Sequence, residues 1–456
     1  MGQKQHLSTD STTESKKKRR VNFSPTDSGV EANDCIQIYL VSSKEEAEAG
    51  TGHQIDPVDL NIFFGDDGKI YGYQGLKIVI WVSSLSFHAY TDITYESTAD
   101  RGKGITDLKA VLQDMFAENI VEKKDDFFQT FSTEKQCISS AVSKGEILRQ
   151  NTSNGNSDLN IEVIRLVMGD MSAGLLYSRL VPLVLLLVDG SNAIDVTDSN
   201  WEMYAIVQRT TDPQGDNPTK FLGFAAAYRF FHYPDSLRLR LSQILVLPPY
   251  QQKGYGRHLL ELLNQVAISE NVYDLTVEEP VESLQRIRYY IDVPRLLSHS
   301  SVKPAVDAVV SRLKEANLSK RTQTSQFLPP PAVVDDVRKS LKINKKQFTQ
   351  CWEILVYLAL SPVDKHMDNY RIFITDRVKA TVIGKDSVTK EKRVIDIPNV
   401  LGEEAFVMYK SADTEDGTVT VDEDQANLQE QLQKLVDERI KEIEGIAQKI
   451  LTKNHA

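Results

Sequence analysis

A short glycine-containing stretch of the chain has the composition of an anion-binding turn. The hexapeptide QQKGYG, residues 251–256, lies between an apolar run ending at Val246 and an amphipathic helical pattern beginning near Gly256. Glycine lets backbone N–H groups approach a ligand closely, and a helix N-terminus adds the positive end of its dipole. The P-loop pattern and the third glycine of a dinucleotide fingerprint are both absent. The spacing therefore indicates either a cradle for pyrophosphate or a tight turn that holds nothing.

Two carboxylates follow at the end of the next predicted strand, where the chain reads VYDLTVEEP. Glu278 and Glu279 precede Pro280, and the alternation of side chains along a strand sends them to opposite faces. A carboxylate in a cleft can accept a proton from a substrate. The same pair is also typical of a solvated acidic turn, and the residues alone leave both interpretations open.

These groups require a strand–loop–helix–strand–helix unit to position them. Apolar runs within 219–246 predict strands, and a helix, a strand and a second helix follow up to about residue 292. Upstream, LVPLVLLLV at 180–188 favours a strand buried on both faces, with Asp189 at its rim. A helix is expected over 125–147 and a loop over 149–158.

The chain is long enough for two or three domains. Changes in pattern, and three prolines at 329–331, indicate successive segments. We expect a disordered basic tail at 1–34, a mixed α/β domain at 35–160, a catalytic core at 161–300, an insertion or linker at 301–332 and a helical region at 333–456. The final helix carries one apolar face, which predicts packing against the rest of the protein or a short coiled coil.

Charge and composition limit the classes of protein to which this chain can belong. The 53 basic and 64 acidic side chains give a net charge of −11, which disfavours direct nucleic-acid binding and suits a basic partner. Three widely spaced cysteines and no recognisable signal peptide indicate a reduced intracellular protein, and no apolar run approaches the length of a membrane helix. KKKRR at 16–20 is either a nuclear import signal or a solvated tail.

The stretch around 251–256 resembles motif A of the GCN5-related N-acetyltransferase superfamily. Together with YDLTVEEP, IRYYID, FFGDDGKIYGYQGLKI and KINKKQF, it resembles a plant-type histone acetyltransferase of type B over nearly the whole chain. The resemblance implies an α/β (α+β) fold with an acetyltransferase core, an N-terminal mixed α/β domain and a C-terminal helical domain. It implies acetyl-coenzyme A as co-substrate and no metal.

Site residues are carried over from this resemblance, position by position. Glu278 is the expected general base, with Glu279 and Asp189 as further catalytic carboxylates. The residues expected to contact acetyl-coenzyme A are Ile244, Leu245, Val246, Gln251, Gln252, Lys253, Gly254, Tyr255, Gly256, Arg257, Val281 and Arg288. The residues expected to contact a basic histone tail are Asp66, Asp67, Tyr228, Arg229 and Phe230. Turn formation and core packing are the respective alternatives for the acidic and the aromatic residues.

The resulting hypothesis is acetylation of lysines on free, newly synthesised histone four in the nucleus and cytoplasm. In the family, a WD-repeat histone chaperone is the usual partner, and neither nucleic acid nor membrane is bound directly. The alternatives are an acetyltransferase for another protein or a polyamine, and a weakly catalytic histone-binding subunit.

Overall fold

A computed structural model describes the backbone of residues 28–65, 67–100, 102–152, 160–209, 219–315, 324–360, 364–382 and 421–454. These residues form two compact units. The first comprises described residues within 1–141, 175–193 and 218–220, and the second comprises those within 142–174, 194–217 and 221–456. Residues 142–160, expected in the N-terminal domain, group with the second unit, and residues 175–193, expected in the catalytic core, group with the first.

The first unit contains a mixed sheet, in which some neighbouring strands are antiparallel and others are parallel. Among its described residues, five strands lie in the order β3–β2–β6–β7–β9, and two further sheets pair β1 with β4 and β5 with β8. The strands are β1 (Val30–Glu31), β2 (Ile36–Val41), β3 (His53–Ile55), β4 (Lys69–Ile70), β5 (Tyr73–Gln74), β6 (Lys77–Ser83), β7 (Ala89–Thr94), β8 (Ser97–Thr98) and β9 (Ile120–Val121).

Short helices accompany this sheet. They are α1 (Ala32–Cys35), α2 (Lys44–Ala49), α3 (Leu108–Phe116), α4 (Lys124–Thr133) and α5 (Cys137–Val142), with single 3-10 turns at Asn61–Phe63 and Ala117–Asn119. The buried Phe127 of α4 forms a cluster with Val41 of β2 and Ala47 of α2. The predicted helix over 125–147 is thus two shorter helices.

A strand occupies part of the stretch predicted to be a loop at 149–158. β10 covers Glu146–Thr152 and pairs antiparallel with β11, Asn160–Val167. Its sequence EILRQNT has little apolar alternation, so the sequence carries almost no strand signal. Ladder hydrogen bonds between backbones need no apolar side chains, and an edge position tolerates polar ones.

The apolar run at 180–188 is helical, so the prediction of a buried strand is wrong. α6 covers Met171–Leu187 with Pro182 inside it, and its buried side chains include Leu176, Leu180 and Leu183. An apolar run buried all round is compatible with either a strand or a helix, and periodicity cannot separate them. The continuous element of 17 residues is longer than most strands.

The second unit is built on a sheet that holds the glycine-containing turn. Six strands of the described residues lie in the order β10–β11–β12–β13–β14–β15. The four later ones are β12 (Trp201–Arg209), β13 (Thr219–His232), β14 (Ser236–Val246) and β15 (Leu275–Val277). All neighbouring pairs with a stated register are antiparallel except β14 and β15, which are parallel. Leu239 and Leu241 of β14 pack in one core with Leu259 and Leu263 of the following helix.

Helices complete this unit. They are α7 (Tyr255–Ser269), α8 (Glu282–Leu297), α9 (Val302–Glu315), α10 (Pro331–Leu341), α11 (Lys345–Ala359), α12 (Asp364–Val382) and α13 (Val421–Asn454), with 3-10 turns at Pro248–Tyr250 and Thr324–Phe327. No helix in the described ranges is both long and apolar enough to cross a membrane.

The helices from α8 onward share one hydrophobic core. Val306 and Val309 of α9 are buried beside Trp352 of α11, so 302–315 is not an insertion outside the core. In α13, Val436 and Ile443 are buried in the same cluster. Of the two interpretations of the final helix, packing against the protein itself is therefore correct.

Candidate active site

The turn between β14 and α7 leaves a helix N-terminus open. Gly254 is the N-cap residue, with φ +88° in the left-handed region, and no described side chain caps the helix. A Cβ added to Gly254 would meet nothing within 4 Å. The first N–H groups of an α-helix lack partners within the helix. The free space and the uncapped N-terminus fit a pyrophosphate such as that of acetyl-coenzyme A.

Side chains of the turn fold it against the end of β14. The Gln251 side-chain amide donates to the Val246 carbonyl oxygen at 3.0 Å. The Lys253 ammonium lies 5.5 Å from the centre of the Tyr250 ring. Gln252 is exposed and has φ +60°. The turn is therefore anchored at its start, with a cation at its outer edge.

The first turn of α7 packs closely on the strand. Tyr255 is partly buried against the core of the second unit. A Cβ at Gly256 would lie 3.9 Å from Val246 Cγ2, an ordinary contact distance. Arg257 Nε pairs with Glu261 Oε1 at 2.8 Å along the helix surface. The space beside Gly256 would therefore accept a Cβ, and the approach of α7 to the strand end does not itself require glycine.

β14 and β15 are paired over only part of their length. Their parallel register runs from Leu239–Leu275 to Leu241–Val277, and Glu278 N donates to Leu241 O at 2.9 Å. β14 then continues through 242–246, where no described strand pairs with it on that side. The two strands therefore diverge directly after Glu278, and the divergence opens one edge of β14.

Glu278 is held at the point of divergence by a serine that the sequence did not suggest. The register of β13 and β14 shifts between Ala226 and Ala227, so Ser242 is the extra residue of a β-bulge. The Ser242 hydroxyl donates to Glu278 Oε2. Bulges redirect side chains and often lie beside active sites. No local residue pattern marks this one, because the bulge depends on pairing with β13.

The open edge of β14 also presents a backbone donor. Leu247 N donates to Leu222 O of β13 at 2.9 Å, and Leu245 pairs with Phe224. Alternate N–H groups in an antiparallel strand point to the same side. The Leu245 N–H therefore points toward β13, whereas the Val246 N–H points away from it, toward the open edge.

The remaining residues expected near the cofactor lie around the start of α8. Glu279 is exposed with φ +31°, which is unusual for a residue with a side chain. Val281 is the N-cap of α8 and is 53% exposed. Arg288 lies about two turns further along the helix. It is partly buried, donates to Gln285 at 2.7 Å, and has its pKa lowered by burial.

The expected trio on β13 is divided between two faces of the sheet. Tyr228 and Phe230 lie on one face, with ring centres 4.5 Å apart. Arg229 projects to the other, where its guanidinium binds Glu202 at 2.6 Å and Glu270 at 2.5 Å. This geometry favours a structural role for Arg229 over contact with a substrate.

Three neighbours of this aromatic surface were not predicted from the sequence. The Trp201 ring lies edge-on to Tyr228 at 4.9 Å. The Tyr228 hydroxyl hydrogen-bonds to Asp198, whose pKa is lowered first by the Asn200 backbone N–H and then by this hydroxyl. Arg240 stacks over Phe230 at 4.4 Å. A carboxylate beside aromatic faces suits a cationic side chain.

Two further expected acidic residues lie in the first unit. Asp67 is exposed and accepts a hydrogen bond from the Tyr71 hydroxyl, which lowers the pKa of Asp67. Asp189 lies in an exposed turn directly after α6. Asp66 lies outside the described residues. Across the described parts of the chain, no group of three His, Cys, Asp or Glu residues could hold a metal ion.

Two family models match successive parts of the chain before the C-terminal helices. Residues 28–189 match "Histone acetyl transferase HAT1 N-terminus" and residues 198–290 match the "Acetyltransferase (GNAT) family". The second match contains β12 to β15, the glycine turn and Glu278. The fold and site therefore define an acetyltransferase of the GCN5-related class, and members of this class use acetyl-coenzyme A.

Full-length relatives define the family more closely. A histone acetyltransferase type B catalytic subunit of Arabidopsis thaliana is 53% identical over 99% of this chain and 98% of its own length. The Zea mays subunit is 48% identical, over 97% and 95% of the two chains. This chain belongs to the family of type B histone acetyltransferase catalytic subunits.

A solved structure aligns with part of this chain, with low sequence identity and low structural similarity. An aminoglycoside acetyltransferase from a soil metagenomic sample covers 32% of this chain and 88% of its own, with 17% identity and a TM-score of 0.21.

Proposed function

We propose that this enzyme transfers the acetyl group of acetyl-coenzyme A directly to lysine side chains of free histone four, with Glu278 as general base. The observation that carries the proposal is the position of Glu278. Its carboxylate is fixed by Ser242 where β14 and β15 diverge, next to the open edge of β14. The same strand leads into the uncapped N-terminus of α7.

Acetyl-coenzyme A would be held by the end of β14 and the following turn. The backbones of Ile244 and Val246 offer hydrogen-bonding groups to the pantetheine arm, and Leu245 lies between them with its own backbone paired to β13. Residues 251–257 offer N–H groups and the cations Lys253 and Arg257 to the pyrophosphate. Val281 and Arg288 are proposed as contacts further along the cofactor.

The chemistry needs a proton acceptor, because a free lysine has a pKa of ~10.4 and is almost wholly protonated at neutral pH. Glu278 removes one proton from the ammonium group. The freed amine then attacks the thioester carbonyl and forms the C–N bond. The C–S bond breaks as the amide forms, and the coenzyme leaves as a thiolate, which becomes the thiol by taking up the second proton lost from the nitrogen. The Val246 N–H is proposed to stabilise the negative charge that develops on the carbonyl oxygen. Glu279 and Asp189 are proposed as auxiliary carboxylates.

A histone tail carries several cations, which suits the surfaces described above. Tyr228 and Trp201 offer aromatic faces to lysine or arginine, and Asp198 offers a charge beside them. Phe230, whose ring already stacks with Arg240, is proposed to line the same surface. In the first unit, Asp66 and Asp67 are proposed as further contacts. The net charge of −11 favours approach of such a substrate and disfavours DNA.

The proposed binding partner and the proposed cellular location rest on the family resemblance. We propose association with a WD-repeat histone chaperone and action in both nucleus and cytoplasm. The basic run at 16–20, a proposed import signal, lies outside the described residues.

Acetyl transfer to free histones and to nucleosomes, with mass spectrometry of the modified lysines, tests the proposal. We expect free histone four to be acetylated much faster than nucleosomal histone. Faster acetylation of a polyamine or an unrelated protein would instead support the broader acetyltransferase. Tight histone binding without turnover would support a binding subunit.

A further inference from the structure

The segment Lys342–Asn344, between α10 and α11, binds the outer edge of β15. Ile343 forms a parallel bridge with Leu275, the first residue of that strand. Leu275 N donates to Lys342 O at 2.8 Å, and the Asn344 side-chain amide donates to Leu275 O at 2.9 Å. The catalytic strand is thereby hydrogen-bonded on both edges, although it is only three residues long.

The segment is itself held in a defined conformation. Lys342 is buried, has φ +58°, and donates from Nζ to Asn271 Oδ1 at 2.6 Å. The Asn344 Oδ1 accepts from Gln347 N at 3.0 Å, which caps the start of α11. One asparagine side chain therefore joins the rigid N-terminus of a core helix to the carbonyl of the catalytic strand.

We propose that Asn344 is a positioning residue, which fixes β15 and through it Glu278. This inference rests on the proposed function, because it acts through the general base. Glu278 follows Leu275 by three residues, and its N–H is the last bond of the β14–β15 ladder. Beyond that bond the two strands diverge, so the position of Glu278 depends on how firmly β15 is held.

The two roles of Asn344 can be separated by substitution. Asn344→Ser keeps a good N-cap residue but is too short to reach the Leu275 carbonyl. Asp107→Ala is the matched control, because Asp107 caps α3 in the first unit by accepting from Ala110 N at 3.1 Å. Loss of that cap is expected to lower stability without touching β15.

Four results are expected if Asn344 positions the base. Amide hydrogen exchange of a peptide spanning 275–278 should rise in Asn344→Ser and stay unchanged in Asp107→Ala. The kcat for histone acetylation should fall by roughly tenfold, since misplacement of a catalytic group by 1 Å can cost ~10²-fold. The dissociation constant for acetyl-coenzyme A should stay the same. In a Glu278→Gln background, Asn344→Ser should change kcat by less than about twofold, because coupled residues are not additive.

Separate results would overturn the two halves of the inference. Unchanged exchange over 275–278 in a folded Asn344→Ser protein would show that the tether does not hold β15, whatever Glu278 does. An equal loss of kcat with and without Glu278 would show that Asn344 does not act through the base. Near-normal kcat in Glu278→Gln alone would contradict the proposed mechanism and leave the exchange result to decide the tether.

Discussion

At the scale of single residues, the pairing of Ser242 with Glu278 is the most informative feature of the site. The family resemblance singled out Glu278 within VEEP as the expected base, but Ser242 had no distinguishing neighbour. The bulge turns the Ser242 hydroxyl toward the carboxylate, and the end of β15 brings the carboxylate to the hydroxyl. A residue that depends on a register shift between two strands is not visible in a linear pattern.

Ser242→Ala should lower kcat by about tenfold, because a hydrogen bond to a charged group contributes about 1.5 kcal/mol. Binding of acetyl-coenzyme A should be unaffected. Steady-state kinetics at saturating co-substrate measure this change. Ser236→Ala, at the opposite end of β14, is the control and should keep normal kcat. Equal kcat for wild type and Ser242→Ala would exclude a role for this hydrogen bond in turnover.

Gly254→Val should weaken binding of acetyl-coenzyme A by tenfold or more, about 1.4 kcal/mol, by filling the open space beside the backbone. The positive φ of +88° adds strain of its own in any substituted protein. Gly104→Val is the matched control, because Gly104 has φ +82° and nothing within 4 Å of an added Cβ. Calorimetry should show a loss of affinity only for Gly254→Val, and equal affinities would contradict the anion-cradle assignment.

At the scale of elements, β13 supports the site from two faces. The aromatic face carries Tyr228 and Phe230, while the opposite face buries a cluster of ion pairs. Glu202 is 2% exposed and binds both Arg229 and Arg165. Removal of one partner from a buried ion pair leaves an uncompensated charge and is strongly destabilising.

This cluster makes the second unit sensitive to acid. Burial alone would raise the pKa of Glu202, but hydrogen bonds from Arg229, Tyr204 and Arg165 outweigh it and lower the pKa below 4.5. A lowered folded-state pKa gives stability that is present above about pH 4.5 and is lost as pH falls through the folded value. Glu202→Gln should therefore lower the free energy of unfolding by about 3 kcal/mol at pH 7.

Denaturant unfolding of wild type and Glu202→Gln between pH 7 and pH 3 measures this effect. The difference between the two proteins should shrink below pH 4.5. A difference that stays constant over the whole range would show that the charge of Glu202 does not contribute.

The elements around the site could be predicted from the sequence. The prediction failed for elements whose secondary structure is determined by packing against, or pairing with, other parts of the chain. The strand–turn–helix–strand–helix unit is confirmed, because glycine, proline and alternating apolar residues mark its boundaries. The apolar run at 180–188 predicts a strand but forms a helix, since a fully buried helix and a fully buried strand have the same apolar composition. β10 was missed because a polar edge strand is defined by its partner.

At the scale of the whole molecule, the C-terminal helices belong to the catalytic unit. Their core includes residues of α8, directly after the site, and of α13, near the end of the chain. In that core, Arg439 binds the buried Glu353 at 2.7 Å. The stability of the final helix and that of the site are therefore expected to be linked.

Ile443→Ala should lower the free energy of unfolding by about 2–4 kcal/mol, because the side chain is wholly buried and its removal leaves a cavity. Leu435→Ala, on the same helix, is the control. Leu435 is 41% exposed and its truncation should cost less than about 1 kcal/mol. Thermal unfolding compares the two variants, and equal losses would contradict the placement of α13.

Glu278 is proposed to remove the proton from the substrate lysine. The direct test is kcat of Glu278→Gln on free histone four across pH 6–9, beside Glu279→Gln and Asp189→Asn. The substitution preserves shape and removes basicity, so kcat at neutral pH should fall by ~10²–10⁴, with partial recovery as pH rises and more amine is neutral. Near-normal kcat in Glu278→Gln, with a large loss in Glu279→Gln or Asp189→Asn, would exclude Glu278 as the base and assign that role to the other carboxylate.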